Sequence, residues 1–348
     1  MVALSQLFSL SLLIVNGLAH PGESIKPDVL RRRHHLNHPE RRSLAHCKRD
    51  LKESGWMSHQ LAKRHARYNE LREGAGYAPI AARDSDLSED LFARQASCTL
   101  DPEVTEGPYW VSGELIRHDV RPGVKGDEQG VAVHLDINVI DVSTCQPVTN
   151  AYVELWGCNS TGVYTGVVAK GNGDGSASEI DNNSLRGIQP TAENGTASFI
   201  TVVPGHYVGR TNHLHTIVHH GATELPNNTI TGGTISHVGQ FYFEDGILGA
   251  VEQVNPYATN TQERTPNSAD FLLMMGSQGG DNPFVTVRQI GSNVADGYYG
   301  TIDVGVNPQA VQTPQAVNRW TANGGIPIPG SMWEGYPWTK KIRSLLGL

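Results

Sequence analysis

The stretch Val131-Ala132-Val133-His134-Leu135-Asp136-Ile137-Asn138-Val139-Ile140-Asp141-Val142 decides the fold class. Apolar and polar residues alternate along it, which is the period-two pattern of a half-buried strand. Working outward, Ala151–Trp156 (AYVELW), Ala197–Val203 (ASFITVV), His213–His219 (HLHTIVH), Gln240–Phe243 (QFYF), Phe284–Ile290 (FVTVRQI) and Tyr298–Val306 repeat the texture. Gly, Asn and Pro clusters between them supply turn chemistry. About seven to nine short strands of this kind predict an all-β architecture, a β-sandwich with long loops. The longest interruption, Gly166–Asn194, is acidic and glycine-rich and reads as a surface loop.

The chain has 348 residues and a net charge of −8, and that charge is unevenly placed. Residues 20–97 hold 15 Lys/Arg against 11 Asp/Glu, a balance of +4; the rest of the chain holds 12 against 24, a balance of −12. The basic part is rich in His (His34, His35, His38, His46, His59, His65) and contains helical pattern over Met57–Leu71. A basic arm of this kind can bind polyanions, but beside so acidic a body it reads as a leader or cleavable pro-segment, with Arg41-Arg42, Lys48-Arg49 and Lys63-Arg64 as candidate processing sites. An acidic body argues against a nucleic-acid partner.

Met1–Ala19 reads as a secretory signal, with an apolar run at Leu7–Val15 too short to span a bilayer and small residues at Gly17-Leu18-Ala19. The expectation is a secreted, extracellular protein with no membrane anchor. Sequons at Asn159, Asn182, Asn194 and Asn227 are candidate glycosylation sites. The four cysteines, Cys47, Cys98, Cys145 and Cys158, allow three pairings, and no C-x-x-C is present. The resulting organisation is a signal peptide at 1–19, the basic segment at 20–97, a β-domain at 98–306 and a Pro/Gly/Trp-rich tail at 307–348 without periodicity.

His213-Leu214-His215 is the sharpest local signal. On a strand, residues two apart share a face, so two imidazoles at this spacing can chelate one ion. His219 shares that face but lies about 13 Å away at strand rise. A cupin would also use H-x-H, but it wants Gly six residues before the first His and Glu shortly after the second; Tyr207 and His219/His220 stand there instead. Tyr207 and Arg210 lie on the connection Pro204–Arg210 leading into the His strand, and Tyr164 lies just past the Ala151–Trp156 strand.

Taken together, these pieces resemble the intradiol ring-cleavage dioxygenases, most closely the secreted branch similar to the protocatechuate and catechol enzymes. The likeness runs over about residues 98–306. It is carried by Thr105-Glu106-Gly107-Pro108-Tyr109-Trp110, Val153-Glu154-Leu155-Trp156 with Tyr164, Leu185-Arg186-Gly187-Ile188-Gln189, Pro204-Gly205-His206-Tyr207 with Arg210, His213-Leu214-His215, and Gln240-Phe241-Tyr242-Phe243, in that order. The resemblance implies an immunoglobulin- or prealbumin-like sandwich and one Fe(3+) per chain, held by Tyr164, Tyr207, His213 and His215. It implies a small aromatic diol and O2 as partners, with intradiol cleavage to a cis,cis-muconate type product. It also implies that Tyr207 leaves the metal and takes a substrate proton, that Arg210 stabilises charge on the substrate, and that Gln240 orients oxygen or supports the site. Gly107, Pro108 and Tyr109 would line the pocket mouth, and Trp156 is assigned to the core.

The chemistry agrees: oxygen-rich donors suit a hard trivalent cation, and imidazole suits iron. The interval from Tyr207 to His213 is shorter than in the catabolic enzymes, and Gly209 replaces a bulky aromatic, so substrate preference does not transfer. No counterpart of a helical dimerisation domain is evident, which leaves the oligomeric state open. Two rivals are a non-catalytic secreted β-sandwich that binds or builds a wall, and a zinc hydrolase using His213 and His215. The hydrolase would need a third His or carboxylate ligand and a general base, and phenolate ligands would be unusual for it.

Overall fold

The computed structural model describes residues 44–81, 105–169, 171–277 and 282–331. Eight main strands form two four-stranded sheets: β1 (Ala132–Asp141), β2 (Ala151–Gly157), β3 (Arg186–Pro190), β4 (Thr196–Val202), β5 (His213–His220), β6 (Thr234–Tyr242), β7 (Thr286–Gln289) and β8 (Tyr298–Val306). The first sheet has the order β6-β5-β2-β3, antiparallel throughout. The second has the order β7-β8-β1-β4, with β8 and β1 parallel.

Alternation decides which side chains meet between the sheets. Val133, Leu135, Ile137 and Val139 of β1 pack against Val153 and Leu155 of β2 and Leu214 and Val218 of β5 in one apolar core. The residues between them point to the two outer faces. On the first sheet that leaves Glu154, Trp156, His213, His215, Ile217 and His219 on one outer face; on the second it leaves His134, Asp136 and Asn138.

The outer face of the second sheet is covered by the N-terminal segment. Two helices, α1 (Lys48–Glu53) and α2 (Trp56–Gly74), lie there, and Cys47 is disulfide-bonded to Cys145 beyond the end of β1. Helix α2 contains many strong helix formers and no Pro, and it starts after Gly55 in a left-handed conformation. Its buried positions, Gln60, Arg64 and Tyr68, recur every four residues and so form one stripe. That stripe is polar. Arg64 donates to Asp303 Oδ1 at 2.7 Å, Tyr68 to the Gln289 carbonyl at 2.7 Å, and Gln60 and Trp56 both donate to the Asn194 carbonyl at 3.3 Å. The strand side chains beneath complete the network: Asn138 Nδ2 donates to Asp303 at 2.7 Å, Thr196 to Asn138 at 2.8 Å, and Ser198 and Tyr299 to Asp136 at 2.6 and 2.9 Å.

Several sequence expectations are corrected here. Over residues 44–81 the basic segment is a layer of the domain rather than a detachable leader, because its helix supplies partners to buried polar groups. Arg64 of the dibasic pair is buried in an ion pair and is not presented for processing. The stretch 166–194 is no surface loop: Val167, Val168, Ala169, Ile180 and Leu185–Ile188 are buried, and it carries β3. The region after Val306 contains a hairpin, Asn318–Thr321 with Gly324–Pro327, whose first strand pairs in parallel with Val111–Ser112. Met1–Ala19, His34, His35, His38, Arg41-Arg42, Cys98 and 332–348 lie outside the described residues. Cys158 is a free thiol, buried and pushed up to about 12 by that burial. Among the described residues no helix is long and apolar enough to cross a membrane.

Candidate metal centre

One end of the first sheet's outer face holds a closed group of four side chains. His213 and His215 project from β5, Tyr164 from the turn after β2, and Tyr207 from the connection before β5; each is at most 3 % exposed. The Tyr164 hydroxyl lies 3.3 Å from His213 Nε2 and 3.1 Å from His215 Nε2, and the Tyr207 hydroxyl 3.2 Å from His213 Nε2. His213 Nδ1 sits 2.6 Å from the Thr211 carbonyl, an acceptor only, so Nδ1 carries the proton and Nε2 keeps its lone pair for the centre.

These distances discriminate between an ordinary hydrogen-bond cluster and an ion site. His213 Nε2 is approached by Tyr164, Tyr207 and, at 3.3 Å, Arg210 Nη1, although one lone pair accepts one good hydrogen bond. Two donors about 2.1 Å from a shared ion and roughly 90–109° apart lie about 3.0–3.4 Å from each other. The donor set therefore fits one cation. Burial, opposed in part by Arg210, pushes both phenols well above the ordinary tyrosine value, so a cation is the natural agent to displace their protons.

Each donor is held in place by neighbours. Asn172 pins Tyr164 by accepting its backbone N–H at 2.7 Å and donating to its carbonyl at 2.8 Å. Trp156 stacks on His215 at 4.9 Å with planes 6° apart, so the residue assigned to the core is buried but packs on the site. Tyr207 is held less firmly in sequence terms, since it precedes Val208, which is 58 % exposed, and Gly209, whose φ of +88° favours glycine.

Arg210 is buried against His213. Its Nε donates to Asp270 at 2.8 Å and its Nη2 to Gln240 Oε1 at 2.6 Å and the Tyr242 hydroxyl at 3.0 Å. Burial disfavours the guanidinium charge, but Asp270, Tyr242 and Tyr207 outweigh it and raise its pKa. Gln240 also donates from Nε2 to the Thr105 carbonyl at 3.0 Å and accepts from Tyr242 at 2.7 Å. Its place is therefore behind Arg210, and the oxygen-orienting role gives way to that of a support.

Gly107, Pro108 and Tyr109 are buried, and the Tyr109 ring packs 4.8 Å from that of Tyr164. Arg186 ties this segment to the site, donating to the Tyr109 and Thr165 carbonyls at 2.8 and 2.9 Å and pairing with Glu114 at 3.2 Å. Asp270 and Asn172 were not singled out from sequence, and Arg186 and Tyr242 stood in the matching motifs without an assigned role. Tyr242 was within reach, two residues past Gln240 on one strand face; Asp270 comes from 60 residues beyond Arg210 with no local pattern. Among the sequons, Asn227 is exposed and Asn159 and Asn194 half-buried. Asn182 is a correction, because it is 4 % exposed with its amide donating to Glu179 at 3.0 Å, which leaves no room for a glycan.

A dioxygenase family model matches residues 105–245, the segment that contains all four donors. An intradiol ring-cleavage dioxygenase from Tetranychus urticae superposes with a TM-score of 0.50 at 28% identity, covering 62% of this chain and 98% of that one. A second dioxygenase crystal structure superposes at 0.51 and 27% identity with the same coverage. Among curated proteins, none matches the sequence. The family generally uses a non-haem Fe(3+) centre. With its sandwich, its matched segment and these neighbours, the chain is similar to the intradiol ring-cleavage dioxygenases and reads as an enzyme of that class.

Proposed function

We propose that the protein is a secreted non-haem iron(III) enzyme that inserts both atoms of O2 into a catechol-type aromatic. The ring opens between the two hydroxyl-bearing carbons to give a cis,cis-muconate type dicarboxylate. Tyr164, Tyr207, His213 and His215 would hold the iron. The observation that carries this is the approach of two phenol oxygens and two imidazole Nε2 atoms within 3.1–3.3 Å. Bound there, iron(III) would supply Lewis acidity toward a chelated catecholate, making the ring reactive toward O2.

The chain's own groups then divide the work. Tyr164 would be the firmly held phenolate donor, because Asn172 fixes its backbone on both sides. Tyr207, beside the exposed Val208 and the conformationally free Gly209, would be the less firmly held donor, and its oxygen is placed to accept a substrate hydroxyl proton. Arg210, charged and fixed by Asp270 and Gln240, sits where negative charge grows on the ring and needs no reorganisation during the step. Tyr109, packed on Tyr164, closes one side of the substrate space. Export is supported by the Cys47–Cys145 disulfide, which suits an oxidising compartment, and Asn227 is the most exposed glycan acceptor.

The test is a visible spectrum with metal analysis on purified protein, followed by turnover of catechol, protocatechuate and hydroxyquinol. A broad phenolate-to-iron(III) band that shifts on anaerobic addition of a catechol is expected. A colourless protein that cannot be loaded with iron would overturn the reading.

A further inference from the structure

The outer face of the first sheet continues past the metal centre. Four residues beyond His215, about 13 Å at strand rise, His219 lies in the wall of an open groove of about 630 Å³. The groove runs between the β5–β6 end of the sheet and the hairpin that begins at Asn318, and none of the four proposed metal donors lines it. Its volume falls within the range of ligand sites, and a single aromatic ring would leave most of it unfilled.

The groove has a built polar floor. Glu154, 2 % exposed, accepts from Trp110 Nε1 at 2.8 Å on one carboxylate oxygen and lies 2.7 Å from His219 Nε2 on the other. A carboxylate only accepts, so Nε2 carries the proton and Nδ1 is the ring's acceptor when neutral. Burying a carboxylate here is costly unless both oxygens are engaged, and this relay engages both. Above it, Trp320 and Trp110 give indole surface, and the remaining polar lining is mainly hydroxyl and amide. Among the described residues, Glu154, His219 and Arg319 are its only charged or titratable side chains. One cation beside one engaged anion gives no field for a polyanion.

We propose that this groove is a saccharide-binding site separate from the ring-cleavage centre. The C–H face of a pyranose lies against an indole, and its hydroxyls, each both donor and acceptor, match a lining that mixes neutral donors and acceptors around one fixed imidazole. The groove's volume of about 630 Å³ has room for more than one sugar ring. Such a ligand has two sources: a free neutral glycan, or the chain's own, since the exposed sequon residue Asn227 stands on the rim.

Isothermal titration of the full chain with cellohexaose, xylohexaose and chitohexaose separates these, using glycosylated protein and the Asn227→Gln variant. At least one hexasaccharide should bind Asn227→Gln and perturb tryptophan fluorescence, and Trp320→Ala in that background should weaken binding tenfold or more. The iron–phenolate band and catechol turnover should not change. Binding by both forms assigns the groove to a free glycan; binding only after removal of the acceptor assigns it to the chain's own. If Trp320→Ala lowers the melting temperature, the exposed Arg319→Ala replaces it, with a several-fold loss expected. Absence of binding by Asn227→Gln to all three sugars, or binding that survives both substitutions, overturns the proposal.

Discussion

The two sheets bury polar groups on their outer faces in opposite ways. On the second sheet, Asp136, Asn138 and Asp303 are satisfied by protein: each carboxylate or amide meets a donor or acceptor from Arg64, Ser198, Thr196 or Tyr299 at 2.6–2.9 Å. On the first sheet, two phenols and two imidazoles meet head to head, with three donors crowding His213 Nε2. In the first arrangement every one of those carboxylate and amide groups has its protein partner, and only Arg64 Nε and, at the edge, His134 Nδ1 are left without one among the described side chains of that face. The second would become complete with a cation taking the lone pairs, as proposed above. Burial alone thus does not distinguish scaffold from site; the balance of donors to acceptors does.

The largest expected effect comes from breaking the first-sheet cluster. Tyr164→Phe removes one donor while leaving the ring packed between Tyr109 and Tyr207, so the fold should persist. Iron content and the visible band should fall sharply, and turnover by about 10³-fold or more, several kcal/mol of lost activation. Retained colour and activity would remove Tyr164 from the donor set.

The mirror experiment is Arg64→Ala on the other sheet. It leaves Asp303 buried with one partner fewer, which costs about 3–5 kcal/mol. Urea denaturation should show this loss, while folded protein keeps its metal and its spectrum. If Arg64→Ala bleached the iron band instead, the two faces would not be separate. Between these lies Asp270→Asn, which weakens the charged partner of Arg210. The expectation is a fall in kcat of about 10²-fold with iron retained; an unchanged kcat would mean that Gln240 and Tyr242 suffice to place the guanidinium.

Much of the first-sheet site was legible because its signals are local. His213-x-His215 declares a shared strand face, and Tyr207 and Arg210 lie within six residues of it. The second-sheet face was not legible. Residues 131–142 read as half-buried, and so they would be if nothing covered Asp136 and Asn138; what covers them is a helix about 60–80 residues earlier in the chain. The helical pattern over Met57–Leu71 was legible but its packing face was not, because Gln60, Arg64 and Tyr68 form a stripe of hydrogen-bonding groups, whereas a sequence search for helix packing looks for apolar ones. The stretch 166–194 misled for the same reason. Its glycines and acids suggest a solvated loop, yet Asn172 and Arg186 are structural hydrogen-bonders whose partners, Tyr164, Thr165 and Tyr109, are set only by the fold.

The smallest effect tests whether the second-sheet face is complete throughout. At its edge, His134 has a buried Nδ1 without a hydrogen-bond partner, and burial, reinforced by Arg67, Arg121 and His118, lowers its pKa to about 4. The sign follows from which state takes the proton. An unfolded histidine titrates near 6.5, so as pH falls below that value the unfolded chain binds a proton that the folded chain refuses until about pH 4. Stability from this residue is therefore fully present above about pH 6.5 and lost progressively toward pH 4. His134→Gln removes the titration, so the urea midpoint of the variant should fall less steeply than that of the parent between pH 7 and 4.5. Parallel slopes would show that the proton finds a partner at this edge, and that the polar network under α2 extends one residue further than its hydrogen bonds indicate.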